Sequence, residues 1–125
     1  MSKVRPVVAV VDDDPRLLES LEDLLESAGY VARSFSSAGS LLASGLSGID
    51  VLITDIGMPS MDGFELRDVV KNARPELPVF LITGRHEIAD QHRAQGVNRC
   101  FRKPFDAKIL LAAVSDALRN RETGG

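Results

Sequence analysis

Asp12, Asp13 and Asp14 stand in a row directly after the β-branched run Val7-Val8-Ala9-Val10-Val11, and Asp55 closes a second apolar run that begins at Asp50. Two later predicted strands also lead to a polar side chain: Thr83 follows the apolar run Val79-Phe80-Leu81-Ile82, and Lys103 follows the short segment Arg99 to Arg102. Each has an ordinary explanation when taken singly. An aspartate after a strand caps the next helix, a threonine turns the chain, and a lysine is a solvated charge. Asp14 before Pro15 fits the capping role fully, yet one cap does not need three consecutive acids. Taken together, all of these residues fall at the carboxyl ends of strands, where open α/β sheets bind their ligands.

Carboxylates gathered within a few ångströms repel one another, and a divalent cation removes that conflict. Oxygen donors with retained waters suit Mg²⁺, and no Cys or His lies near these acids to favour zinc. An ion held in this way keeps coordination positions open for phosphoryl oxygens. Asp55 can then attack phosphorus and form an acyl phosphate. The ion and the Lys103 ammonium offset charge on the transferring group, and the Thr83 hydroxyl can donate a hydrogen bond to the product.

The elements that must position these residues alternate along the chain. Val7–Val11 and Asp50–Asp55 are continuous enough to be central strands covered on both faces. Tyr30–Phe35 is weaker and belongs nearer an edge, Val79–Thr83 is a fourth strand, and Arg99–Arg102 a short fifth. After Asp14-Pro15, the residues Leu17, Leu18, Leu21, Leu24, Leu25 and Ala28 recur at helical spacing until Gly29. Ser37–Ser44 predicts a short helix ending at Gly45. Asp62-Gly63-Phe64-Glu65 has capping-box spacing ahead of Leu66, Val69 and Val70. A helix over His86–Gln95 has few apolar residues, whereas the last helix, capped by Asp106, carries an inward stripe of Leu110, Ala113, Val114, Ala117 and Leu118. Five strand–helix units with short connections predict a parallel sheet wrapped by helices on both faces. Nothing reads as a linker or repeat, so residues 1–125 are expected to form one domain with its core at about 7–118, and Arg121–Gly125 to fray.

Composition narrows the function classes. The chain has 125 residues, is 44% hydrophobic and carries a net charge of −3 with both signs interspersed, which disfavours direct contact with nucleic acid. Its apolar runs are too short to cross a bilayer, and the first residues lack a secretory leader's apolar stretch. The single Cys100 excludes an internal disulfide and fits a reducing, cytoplasmic setting.

Four short motifs, in order, resemble the response regulator receiver family of two-component signalling. Val10-Val11-Asp12-Asp13-Asp14-Pro15 is similar to the family's acidic motif, and Leu52-Ile53-Thr54-Asp55-Ile56-Gly57-Met58-Pro59 with Met61-Asp62-Gly63 to its phosphoacceptor strand and loop. Leu81-Ile82-Thr83-Gly84 matches the switch-hydroxyl motif, and Lys103-Pro104-Phe105 the Lys-Pro motif. The resemblance covers Val7 to Leu118. It implies a flavodoxin-like, doubly wound α/β fold with five parallel strands in the order 2-1-3-4-5 and five helices. It further implies Asp13, Asp55 and the Gly57 carbonyl as direct Mg²⁺ ligands, Asp12 acting mainly through water, Asp55 as phosphoacceptor, Thr83 as switch and Lys103 as charge partner. The Lys103–Pro104 bond is expected to be cis. Implied partners are a sensor histidine kinase or phosphotransfer protein and a downstream protein or output domain, with dimerisation on phosphorylation common in such proteins. The domain is expected to catalyse only its own phosphorylation and dephosphorylation.

Two positions depart from the family pattern. Cys100 stands where a Tyr or Phe is usual, which puts the aromatic signal relay in doubt; Phe101, by strand alternation, should face the opposite side. Gly57 leaves its position without a side chain, which predicts easier access of water to an acyl phosphate. Output is expected from the face made by the His86–Gln95 helix, the Arg99–Arg102 strand and the last helix, while His86 and His92 read as surface residues. Among other readings, a small aspartate-nucleophile phosphohydrolase lacks its second acid pair after Thr83. A flavin-binding module lacks the phosphate-cradling loop after the first strand. A non-phosphorylated interaction module on the same fold has no need of the acids, hydroxyl and lysine together.

Overall fold

A continuous run of Val, Ile or Leu has no face that tolerates water, so the strands built from such runs must lie inside the sheet. The computed structural model describes residues 5–58, 60–83, 100–102 and 106–124. Its strands are β1 (Val7–Val11), β2 (Val31–Phe35), β3 (Val51–Asp55), β4 (Val79–Thr83) and β5 (Cys100–Arg102). Its helices are α1 (Pro15–Ser27), α2 (Ala38–Ser44), α3 (Gly63–Ala73) and α4 (Ala107–Gly124). All strands are parallel in the order β2-β1-β3-β4-β5, as the resemblance implies. Every residue of β3 is buried, whereas β2, on the edge, is only partly covered.

Alternation along the strands sorts the core into two layers. Val8, Val10, Val51, Ile53, Phe80 and Ile82 face α1 and α4, meeting Leu21, Leu25, Leu110 and Val114. Ala9, Val11, Leu52, Val79 and Leu81 face α2 and α3, meeting Leu41, Phe64, Leu66 and Val70. Full burial of one such side chain contributes about 1.5–3 kcal/mol, so both helical layers are held chiefly by this contact. Phe101 joins the first layer, its ring 5.7 Å from that of Phe80, and Cys100 joins the second. The alternation expected across β5 is therefore present.

Local signals start and stop the helices where the sequence places them. Asp14 accepts the Arg16 N–H at 3.0 Å with Pro15 at the first helical position. At the other end of α1, Gly29 takes φ +93°, and the Gly29 and Tyr30 N–H groups close on the Glu26 and Leu25 carbonyls. That left-handed step is open to glycine without strain. Ser37 caps α2, and Asp106 accepts the Lys108 N–H at 2.8 Å ahead of α4. The fifth expected helix, over His86–Gln95, lies outside the described residues. Helix α4 is assigned through Gly124.

At the amino ends of the strands, Asp50 accepts the Val7 N–H at 2.7 Å and returns its own N–H to the Val7 carbonyl at 2.8 Å. This exchange pins β1 and β3 in register, so their carboxyl ends arrive together on the opposite rim.

Candidate functional site

Chain direction after β1 and after β3 diverges. The path from β1 leads through α1 to β2 on one side, and that from β3 through α3 to β4 on the other. A crevice opens between two such strand ends, and here the acids gather. Asp12 follows β1 directly and is 2% exposed; Asp55 is the last residue of β3 and is 7% exposed. Asp13 is exposed beside them. One carboxylate oxygen from each of Asp12, Asp13 and Asp55 lies within 4.8 Å of the others.

Backbone contacts hold this arrangement. The Asp12 N–H donates to the Phe35 carbonyl at 3.1 Å, which ties the acidic turn to β2. Asp12 Oδ1 accepts the Asp14 N–H at 2.8 Å, so its side chain is oriented by the turn that begins α1. Asp14 spends its carboxylate on the helix cap and is absent from the cluster. Beyond Asp55, the Ile56 N–H donates to the Ile82 carbonyl at 2.9 Å, and the Ile56 carbonyl accepts the Met58 N–H at 3.0 Å and the Gly63 N–H at 2.9 Å. The Thr54 hydroxyl, fully buried, donates to the Asp55 carbonyl at 3.1 Å.

The donor set fits magnesium. Octahedral Mg²⁺ with oxygens at about 2.1 Å separates neighbouring ligands by about 3 Å and opposite ones by about 4 Å. The 4.8 Å limit on the three carboxylate oxygens accommodates two acids bound directly and a third through water. Among the described residues no nitrogen or sulfur ligand belongs to the cluster, which disfavours zinc.

Other expected residues are placed less completely. Gly57 is exposed two residues beyond Asp55, and a Cβ added there would meet nothing within 4 Å. Thr83 ends β4, half-buried, one residue past Ile82, which is the register partner of Asp55. It therefore stands on the same rim. Lys103 and Pro104 lie outside the described residues, as does the bond between them. Sequence reading passed over two residues that shape the site, Thr54 and Gly63. Gly63 was read as a helix start and as part of the loop motif after Asp55, but not as a contact, although a Cβ there would fall 2.6 Å from the Asp55 carbonyl oxygen. No local pattern signals such a contact, because it joins residues eight positions apart through the fold.

Comparison with known proteins gives one consistent answer. Residues 8–115 match the response regulator receiver domain family. Over 112 residues, 87% of the chain, it is 38% identical to the transcriptional regulatory protein GlrR of Escherichia coli. It is also 38% identical over 120 residues, 93% of the chain, to the C4-dicarboxylate transport transcriptional regulatory protein DctD of Rhizobium meliloti. The chain spans only 25% and 26% of those two proteins, about a quarter of their length. A CheY-like receiver domain structure from Methanospirillum hungatei superposes with a TM-score of 0.88 at 26% identity, covering 98% of this chain and all of that one. No described helix is long and apolar enough to cross a membrane. With its strand order, its acidic rim and this family match in agreement, the chain belongs to the response regulator receiver domains.

Proposed function

We propose that this domain accepts a phosphoryl group on Asp55 from a sensor histidine kinase or phosphotransfer protein and passes the resulting change to a downstream protein or output domain. The observation that carries the reading is the convergence of Asp12, Asp13 and Asp55 on one point of the sheet rim. Asp13, Asp55 and the Gly57 carbonyl would hold Mg²⁺, with Asp12 acting mainly through water. When bound, the ion supplies positive charge that offsets the charge of the phosphoryl oxygens.

The chain's own residues do the rest. Asp55 ends a fully buried strand, and the Ile56–Ile82 hydrogen bond fixes the backbone beside it, so its carboxylate is presented with little freedom to lose. One Asp55 oxygen forms a bond to phosphorus while the bond from phosphorus to the donor breaks, leaving an acyl phosphate. Lys103 offsets charge on the transferred group, and Thr83 donates a hydrogen bond to it. Movement of Thr83 toward that group drags the segment that follows β4, and alters the face formed by the His86–Gln95 helix, β5 and α4. Cys100 packs against the core layer of Leu52, Leu81 and Phe64, and any relay here runs without an aromatic at this position. The domain acts only on itself: it catalyses its own phosphorylation and dephosphorylation. Residues 1–125 form a single unit, working in the cytoplasm, without contacting nucleic acid or membrane directly, and phosphorylation favours a homodimer.

Incubation with acetyl phosphate and Mg²⁺, read by intact mass, tests the central step. A gain of one phosphoryl group that is lost in Asp55→Asn is the expected result. No gain in the wild type, or an undiminished gain in Asp55→Asn, overturns the assignment.

A further inference from the structure

Resting on the site just described, we propose that Gly63 is a positioning residue for the metal. Its bare Cα lets the start of α3 seat directly on the Asp55–Ile56 peptide and so fixes both the Asp55 carboxylate and the Gly57 carbonyl.

Gly63 is the first residue of α3, and its φ is not among the positive values taken by Gly29, Gly45 and Gly48. Its conformation is open to any residue. What excludes a side chain is space. A Cβ would lie 2.6 Å from the Asp55 carbonyl oxygen, 2.9 Å from Ile56 Cα and 3.1 Å from the Asp55 carbonyl carbon. All three atoms are backbone, so no rotamer change relieves the overlap. The same approach brings the Gly63 N–H, one of the donors a helix start leaves without an internal partner, to 2.9 Å from the Ile56 carbonyl.

Ile56 is thereby held from two sides. Its N–H is tied to Ile82 of β4, and its carbonyl to the first turn of α3. Asp55 and Gly57, the residues on either side of it, are the two proposed donors from this loop. The helix start is itself rigid: Asp62 accepts the Glu65 N–H at 2.9 Å while Glu65 accepts the Asp62 N–H at 3.0 Å, and Phe64, 2% exposed, anchors the next residue in the core. A methyl group at position 63 must push either α3 or the Asp55–Ile56 peptide away. With α3 anchored by its box and by Phe64, the peptide carrying the metal donors gives way.

Calorimetric titration of Mg²⁺ into wild type, Gly63→Ala and Val70→Ala tests this. Val70 is fully buried two turns further along α3, so Val70→Ala destabilises the same helix away from the site. Partners that orient metal ligands typically change affinity by about 10–100-fold when lost, and Gly63→Ala is expected to bind Mg²⁺ at least about tenfold more weakly. Val70→Ala should bind as wild type does. Equal Mg²⁺ affinity in folded Gly63→Ala, or an equal loss in Val70→Ala, overturns the proposal. Should Gly63→Ala fail to fold, amide exchange in the wild type decides: Mg²⁺ is expected to slow exchange at Gly63 and Ile56 more than at Val70, and a uniform response refutes the role. Wild-type protein that ignores Mg²⁺ overturns the site itself and this role with it, whereas wild-type binding with an unaffected Gly63→Ala removes only the role of Gly63.

Discussion

Asp12→Asn should make the metal-free protein more stable. The Asp12 and Asp55 carboxylates offer oxygens no more than 4.8 Å apart, and the residues are 2% and 7% exposed. Two unit charges at that separation repel by about 0.9 kcal/mol at the dielectric of water and about 3.5 kcal/mol at the effective value near 20 that suits partly buried pairs. Low exposure puts the real figure above the lower bound. The asparagine keeps Oδ1, which accepts the Asp14 N–H at 2.8 Å, so the turn into α1 survives the change. Asp12 makes further polar interactions that offset part of this repulsion, so removal of its charge should add about 1 kcal/mol in EDTA, toward the lower end of that range, read as a rise in the urea midpoint with the slope unchanged.

Magnesium should narrow or reverse that gap. A ligand at 100 times its Kd stabilises the protein that binds it by about 2.7 kcal/mol. Wild type gains this in full, while the variant has lost one of the acids around the ion and gains less. Urea titrations of both proteins, with and without saturating Mg²⁺, give the four stabilities. The reasoning is refuted if Asp12→Asn is destabilised in EDTA, or if Mg²⁺ raises both proteins equally. The first outcome means that the acids do not oppose one another, the second that the ion does not sit among them.

Gly57→Asn should leave the fold intact, because a Cβ at this exposed position meets nothing within 4 Å, yet should change the lifetime of the phosphorylated state by filling the approach of water to Asp55. An unchanged decay rate, followed by intact mass, rejects that reading. Arg74 donates to the Leu46 carbonyl at 2.8 Å and the Ile49 carbonyl at 2.7 Å, joining the end of α3 to the loop before β3. Arg74→Ala strands both acceptors and should cost about 2 kcal/mol in urea denaturation, while Mg²⁺ affinity stays as in the wild type because the site lies at the other end of β3. A loss under 0.5 kcal/mol would show that water replaces the guanidinium.

Much of the architecture was legible because its signals are local. A cap, a glycine stop or a capping box acts within one helical turn, so Asp14-Pro15, Gly29 and Asp62-Gly63-Phe64-Glu65 announce α1 and α3 without reference to the rest of the chain. Apolar runs of three to five residues likewise declare β1, β3 and β4, and the polar residue that ends or follows each of them marks the functional rim. Strand order was different. Backbone hydrogen bonds are the same for every residue, so periodicity cannot say which strand lies beside which. The order came from family resemblance, and the register of Asp55 with Ile82 from the tertiary structure.

The sequence by itself therefore determined which side chains stand at strand ends and what chemistry they are fit for. Packing decided the rest: that Asp12, Asp13 and Asp55 meet within 4.8 Å while the neighbouring Asp14 is spent on a cap, and that α3 rests on the Asp55 carbonyl at a distance only glycine permits. Contacts of this kind depend on the docking of whole elements. Helix and sheet must come within a few tenths of an ångström of each other, and no pattern along one segment encodes that separation.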